Sequence, residues 1–317
     1  MTFFKTISRI SLLFLPGVVA ALVMCAGLLF GAAGCSSSIT SPYQYAESRA
    51  LVKLVKDAAA AVAKDGEKVF SELNKKGSRW QKGEMYIFII DTHGNTPVHP
   101  YLAQRNNLNL KDPRGRPFIK WFIYEVTRFQ DKTEGWSHYL WKKPGVAYFS
   151  WKSVFIKLAV APSGKKYIVG CGGHNLKMEK QFAMDTVDEA VALIEEKGKA
   201  AYQTLRNPIS PFLYKDAYIF VVDQNGIGRV NPAFPKFEGK NMLDYCDPNG
   251  KYFIREMFDL LKTQDCGWVE YQCPKPGEKL PALKSTYVKK AKLGKGWVMV
   301  GSGVYLTPRK PIRTNDF

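Results

Sequence analysis

The sequence predicts an α+β fold made of two tandem modules. Each is a long N-terminal helix followed by an antiparallel sheet that carries a helical insertion. Three observations predict this. The chain repeats itself: Tyr86-Ile87-Phe88 with Asp91 and Gly94 returns as Tyr218-Ile219-Phe220 with Asp223 and Gly226, about 132 residues further on. Within each copy, apolar residues first follow a helical period and then fall into short strand-like runs. Finally, 317 residues with 46% apolar and 13% aromatic content hold enough material for two cores, which excludes a mostly disordered or low-complexity chain.

The repeat runs through the rest of both copies. Pro100 returns as Pro232, Asp112-Pro113-Arg114-Gly115 as Asp247-Pro248-Asn249-Gly250, and Gly135-Trp136 with Tyr139 as Gly267-Trp268 with Tyr271. Pro144-Gly145 returns as Pro276-Gly277, Lys152-Ser153 as Lys284-Ser285, and Gly170 with Gly172 as Gly301 with Gly303. A period this long marks duplicated domains, not a solenoid.

Each element follows in order. A helix is predicted from Tyr45 to roughly Lys76, where Leu51, Leu54, Val55, Ala58 and Val62 share a face, and from Lys177 to roughly Arg206, where Val187, Ala190, Val191 and Ile194 do. A strand comes next (Tyr86–Asp91; Tyr218–Asp223), then a turn at Gly94 or Gly226 and a second strand. The Asp-Pro-x-Gly turns open a helix of about four turns, apolar at Phe118, Ile119, Phe122 and Val126 or at Phe253, Ile254, Met257 and Leu261. Three strands close each copy: Gly135–Trp141, Val154–Val160 and Tyr167–Gly172, mirrored by Gly267–Cys273, Thr286–Lys292 and Trp297–Tyr305. The modules therefore span 45–176 and 177–308, with a tail over 309–317.

The N-terminus sets the compartment. Lys5 and Arg9 precede an apolar run from Ile10 to Ala33, which is the pattern of an export signal. Gly31-Ala32-Ala33-Gly34-Cys35 resembles the lipobox of bacterial lipoproteins, although Leu is commoner where Ala32 stands. This implies a signal peptide over 1–34, acylation (palmitate or a similar chain) at Cys35, and a serine-rich tether over 35–44. The other reading is an uncleaved membrane anchor, since the run is about as long as the ~20 residues that span a bilayer. Both readings place the bulk of the chain outside the cytoplasm, membrane-anchored and facing the periplasm or cell exterior.

Setting aside Cys25 and Cys35 leaves Cys171, Cys246, Cys266 and Cys273. None forms a Cys-x-x-Cys pair, so no structural zinc is expected, and export permits disulfides. A helix of about 17 residues after Cys246 would rise ~25 Å, and the strand Gly267–Cys273 would return ~20 Å. Cys246 and Cys273 then lie at one end and Cys266 at the other, beyond the ~7 Å reach of a disulfide. A Cys246–Cys273 bond is predicted.

The coarse layout resembles the PAS type. The second copy is similar to the Cache domain, the PAS-like extracytoplasmic sensor of bacterial chemoreceptors and histidine kinases. The residues that carry the likeness are Tyr218-Ile219-Phe220-Val221-Val222-Asp223, Gly239-Lys240-Asn241, Asp247-Pro248 with Gly250-Lys251, Gly267-Trp268-Val269-Glu270-Tyr271, Lys284-Ser285 with Tyr287-Val288-Lys289, and Gly301-Ser302-Gly303-Val304-Tyr305. One branch of that family has a His-Pro after the first hairpin. It stands here as His99-Pro100, while copy two has Asn231-Pro232 and copy one has Gln104-Arg105-Asn106 in place of Gly-Lys-Asn. The resemblance implies binding of a small molecule, a short carboxylate or similar polar metabolite, between the sheet and the helix-bearing loops. It also implies signalling through a membrane helix to an intracellular output. The sequence continues past copy two only to Phe317, so a membrane-bound kinase, chemoreceptor or transporter is the expected partner.

A carboxylate pocket asks for a fixed cation or N–H donors and for aromatic walls that exclude water. His99, Trp136, Tyr139 and Lys152 offer these in copy one; Asn231, Trp268, Tyr271, Lys284 and Tyr287 offer them in copy two. Trp136 and Trp268 also suit a core position, and the lysines a solvated end. His-Pro and His138, where copy two has Glu270, favour copy one as the binding copy; copy two, closer to the family pattern elsewhere, is the alternative. His93, His99, His138 and His174 show no i, i+4 pairing, so no metal is expected, and three of them are expected at the surface. Cys171 and His174 are conceivable as a nucleophile pair but should diverge near a strand end. No catalytic residue, cofactor or enzyme activity is expected.

The 46 Lys plus Arg against 28 Asp plus Glu give a formal +18, dispersed without a basic block of five. Dispersal and export exclude a nucleic-acid partner and leave a field that favours anions. The expected function is a lipid-anchored ligand-binding protein of sensor type. The alternatives are a structural or adaptor envelope lipoprotein with degenerate modules, and a basic envelope protein for anionic lipid or polysaccharide.

Overall fold

The computed structural model describes residues 41–128 and 132–306. The expected signal peptide, Cys35, the start of the expected tether and the tail lie outside the described residues. Module 1 runs α1 (Ala46–Asp65), a 3₁₀ turn, the short α2 (Phe70–Leu73), a hairpin of β1 (Gln81–Lys82) and β2 (Met85–Tyr86), then β3 (Phe88–Asp91), α3 (Phe118–Thr127), β4 (Glu134–Lys142), β5 (Phe149–Val160) and β6 (Lys166–His174). Module 2 repeats the order with α4 (Lys180–Lys197), α5 (Ala201–Arg206), β7 (Leu213–Tyr214), β8 (Ala217–Tyr218), β9 (Phe220–Asp223), β10 (Gly228–Val230), α6 (Phe253–Thr263), β11 (Cys266–Pro274), β12 (Pro281–Leu293) and β13 (Gly296–Tyr305). The sheets are antiparallel, ordered β3-β6-β5-β4 and β10-β9-β13-β12-β11.

Helices cover both faces of each sheet, which is why the first strands read as unbroken apolar runs and not as alternating ones. On one face, the α1 stripe Leu51, Val55, Ala58 and Val62 packs on Ile87, Ile89, Phe155 and Val169. On the other, Phe118, Phe122 and Val126 of α3 pack on Phe88, Ile90, Val154 and Ile156. Module 2 repeats this with Val187, Ala190 and Ile194 of α4 and with Ile254, Met257 and Leu261 of α6. Full burial of each such Leu, Ile or Val contributes ~1.5–3 kcal/mol. Glu179, completely buried just before α4, joins the module starts: its carboxylate accepts the N–H groups of Gln44 at 2.7 Å and Tyr45 at 3.0 Å at the mouth of α1.

Three expectations need correction. The long helices end early, at Gly66 (φ +63°) and Gly198 (φ +60°), a backbone region that glycine alone enters freely. The second strand of module 1 shrinks to one bridge, Ile89 to Val98, because Pro97 and Pro100 flank Val98 and remove ladder donors; module 2 keeps β10. The insertion helices have 10 and 11 residues, about three turns.

The residues before those helices form clamps. Asp112 accepts the N–H groups of Arg114 (2.9 Å) and Arg116 (3.0 Å) on Oδ1 and of Leu140 in β4 (3.0 Å) on Oδ2. Asp247 does the same for Asn249 (2.9 Å), Lys251 (3.0 Å) and Gln272 in β11 (2.9 Å). The clamp also overturns the predicted Cys246–Cys273 disulfide. The helix begins at Phe253, not at Cys246, so Cys246 stays exposed beside the turn. Cys273 faces inward, 3.9 Å from Tyr305 Oη, and both are free thiols.

Candidate ligand-binding sites

In module 2 the register sets Lys284 of β12 between Tyr271 of β11 and Tyr305 of β13. The lysine stem lies across Gly303, where a Cβ would come 2.8 Å from Cε, and the Phe220 ring lies across Gly301, where it would come 2.3 Å from the ring. The repeated Gly-x-Gly is thus a floor on which a Lys and a Phe lie flat. Lys284 is completely buried. Its ammonium sits 4.1 Å from the Tyr218 ring centre and 5.2 Å from that of Tyr305, and it has no hydrogen-bond partner among the described residues. Burial pushes its pKa down to about 8.

Its neighbours Tyr218 and Tyr271, with Phe220, Asn231, Phe234 and Cys273, line a cavity of about 50 Å³. At ~10–15 Å³ per water, that is room for about four waters, or a molecule of about four heavy atoms. Tyr271 stacks on Phe253 at 4.1 Å, and Asn231 Oδ1 accepts the Phe234 N–H at 3.0 Å, which fixes two of the walls.

Module 1 holds different chemistry at the same positions. Lys152 donates to Tyr86 Oη at 2.7 Å. His99 Nδ1 accepts the N–H groups of Tyr101 (3.0 Å) and Leu102 (2.9 Å), so the proton sits on Nε2. Burial first, and then the Lys152 charge, push its pKa down to about 3, and the ring is neutral. Trp141 stands where module 2 has Cys273 and packs edge-on against Phe118 at 5.2 Å, while Phe118 stacks on Tyr139 at 4.0 Å. About 10 Å³ remains, enough for about one water. A cleft of about 520 Å³ opens outside this point, beside Tyr86, Leu102 and Trp141, but between the insertion helix and the sheet the enclosed space and the unpaired cation point to module 2, not to the copy that the His-Pro favoured.

The expected site residues divide cleanly. His99, Tyr139 and Lys152 meet in module 1; Asn231 and Tyr271 line the module 2 cavity, with Lys284 beside Tyr271. Trp136, Trp268 and Tyr287 lie on the opposite sheet faces. Trp136 donates to Tyr43 Oη at 3.1 Å and packs on Phe182, and Trp268 packs on Tyr287 at 5.3 Å beneath Lys180. Sequence reasoning passed over Tyr218, Phe220, Cys273 and Tyr305, although Tyr-x-Phe and Gly-x-Gly recur in both copies.

The histidine expectation reverses: His99, His138 and His174 are buried and His93 is exposed. Cys171 and His174 do diverge. Cys171 lies in the α1 core, where burial pushes its thiol up to about 12, and His174 bonds Ser150 Oγ at 2.8 Å. Among the described residues, no cluster of His, Cys, Asp and Glu could hold a metal and no helix is long and apolar enough to cross a membrane.

A Single Cache domain 2 model matches residues 176–307, and a Cache domain model matches residues 67–173. The chain belongs to the Cache domain family. Cache modules of this kind are ligand-binding sensor domains and not catalysts. The Cache chain is 36% identical over 91 residues to methyl-accepting chemotaxis protein McpP of Pseudomonas putida, covering 29% of this chain and 16% of that protein. It is 37% identical over 92 residues to sensor histidine kinase MctS of Rhizobium johnstonii, covering 29% of this chain and 19% of that protein. The match thus spans under a fifth of either relative. A solved Cache chemosensory domain described as recognising carboxylic acid is 27% identical, with TM-score 0.35, over 40% of this chain and 93% of its own.

Proposed function

We propose that this Cache protein is a lipid-anchored, extracytoplasmic sensor that binds a short monocarboxylate in module 2 and acts through a membrane-bound partner. One observation carries the ligand class: the buried, unpaired Lys284 ammonium beside a cavity sized for about four heavy atoms. A buried cation without a partner is costly, and a carboxylate of two or three carbons would satisfy it. Aromatic walls would exclude water from the pair. Module 1, closed by Trp141, serves as the structural copy. Support for the anchor is the charged start, the apolar run and Cys35 followed by Ser36-Ser37-Ser38.

The test is a thermal-shift series on purified protein with acetate, propionate and acetamide, the neutral isostere of acetate. Stabilisation by the carboxylates but not by acetamide is the expected result. No stabilisation by any carboxylate would favour the adaptor alternative. The anchor is tested separately by metabolic labelling with a radioactive fatty acid, which Cys35→Ser should abolish.

A further inference from the structure

A larger cavity, of about 390 Å³, opens between the two modules, within the roughly 300–1,000 Å³ range of small-molecule sites. Its floor is β4 at Trp136–His138, the edge of the module 1 sheet. α3 forms one wall and α4 the other. The apolar lining is mostly aromatic, from Trp121, Trp136, Phe182 and Phe212, with Leu193 and two prolines. Three carboxylates, Glu125, Asp185 and Glu189, line it together with three cations, Lys120, Arg128 and Lys197, so the choice of ligand charge rests on which of these groups lacks an ion-pair partner.

The carboxylates are not equivalent. Lys132 bridges Glu125 at 2.6 Å and Glu189 at 2.5 Å, and Arg128 approaches Glu189 at 3.6 Å. These pairs tie α3 to α4. Asp185 makes no ion pair among the described residues; its Oδ1 accepts a hydrogen bond from Gln181 Nε2 at 2.7 Å. Two further polar groups sit in the floor. Ser137, 7% exposed, has no side-chain hydrogen-bond partner among the described residues. It points to the α3 side, like Gly135, where a Cβ would come 2.3 Å from Glu125 Oε1. His138, 8% exposed, shares its Nδ1 with Ser153 Oγ at 3.0 Å.

We propose that this inter-module cleft is a second ligand site, for an organic ammonium. The cation faces Asp185, and its apolar body lies among the four aromatic rings. The ring faces attract a cation, an unpaired carboxylate in a half-closed cleft gains most from a positive partner, and Ser137 offers an acceptor to an ammonium N–H. Burial pushes the Asp185 carboxyl up to about 6, outweighing the Gln181 hydrogen bond and the Lys132 charge, which pull it down. A ligand here touches α3 and α4 at once, so its binding stiffens the joint between the modules.

The test is calorimetric titration of the purified protein with phenethylammonium chloride, with 2-phenylethanol as the neutral isostere and phenylacetate as the anion. Expected is saturable one-site binding of the ammonium, at least ~10-fold tighter than the alcohol, with quenching of Trp fluorescence. The isosteric Asp185→Asn should weaken it at least ~10-fold (1.4 kcal/mol), and Trp121→Ala, on the half-exposed face of α3, should weaken it as well. Saturating acetate should not displace it. Equal binding of ammonium and alcohol, full binding by Asp185→Asn, displacement by acetate, or no saturable heat would each overturn the proposal.

Discussion

Replacing Lys284 with Met probes the site most sharply, because the effect should be opposite in sign with and without ligand. The lysine pKa falls from 10.5 to about 8 on burial, and at ~1.4 kcal/mol per pH unit this amounts to about 3 kcal/mol held against the empty protein. Below pH 8 the amine is charged in both folded and unfolded chains, so the whole cost is present. Between about pH 8 and 10.5 the folded chain has released the proton and the unfolded chain has not, so stability rises with pH. Met follows the same path over Gly303 without a charge. At ~2–4 °C per kcal/mol, the empty variant should melt roughly 6–12 °C higher than wild type at pH 7, and the rise between pH 8 and 10.5 should vanish. Acetate at 100 times its dissociation constant should add ~2.7 kcal/mol to wild type and almost nothing to the variant. Scanning calorimetry with and without acetate reads both effects. A variant that is less stable when empty, or one that acetate stabilises as much as wild type, would refute the reasoning.

Other outcomes follow from the same geometry. Cys273→Trp places in module 2 the side chain that closes module 1; it should cost ~1–3 kcal/mol, keep the circular dichroism spectrum, and abolish carboxylate stabilisation in the thermal-shift assay. Asp247→Ala strips three backbone N–H groups of their acceptor and should lower urea-unfolding stability by ~2–4 kcal/mol. Burial raises the Asp247 carboxyl, but the N–H groups of Gln272, Lys251 and Asn249 outweigh it and hold the pKa below the ordinary value. Its stabilising share is therefore full above about pH 4 and is lost as pH falls further, and Asp247→Asn should flatten that acid limb. With a thiol reagent at neutral pH, Cys246 should react at once, whereas Cys171 and Cys266, both buried, should react only on unfolding.

Much of this was legible in the sequence because duplication prints each structural requirement twice. Asp-Pro-x-Gly marks the clamps and Gly-x-Gly the floor, and the α1 and α4 stripes announce the helix faces. One error was avoidable. Trp136 and Tyr139, like Trp268 and Tyr271 or Lys284 and Tyr287, stand three residues apart, and a strand period of two sends such pairs to opposite faces. Only Tyr139, Tyr271 and Lys284 belong on the insertion-helix side. The choice between modules was not legible. It turns on Trp141 against Cys273, a difference of volume at a position no motif singles out, and on whether a buried lysine finds a hydroxyl, as Lys152 does at Tyr86, or does not. The inter-module cleft also escaped, since it arises where α3 and α4 face each other across β4 and leaves no local pattern. The disulfide failed because its premise, a helix starting at Cys246, overlooked the turn that Asp247 and Gly250 build.

The most direct test is a crystal structure of the protein grown with propionate. The account predicts a carboxylate in the module 2 cavity with one oxygen ~2.7–2.9 Å from Lys284 Nζ, and none in module 1. Propionate beside Lys152 and His99, or a module 2 cavity filled by its own side chains, would contradict it.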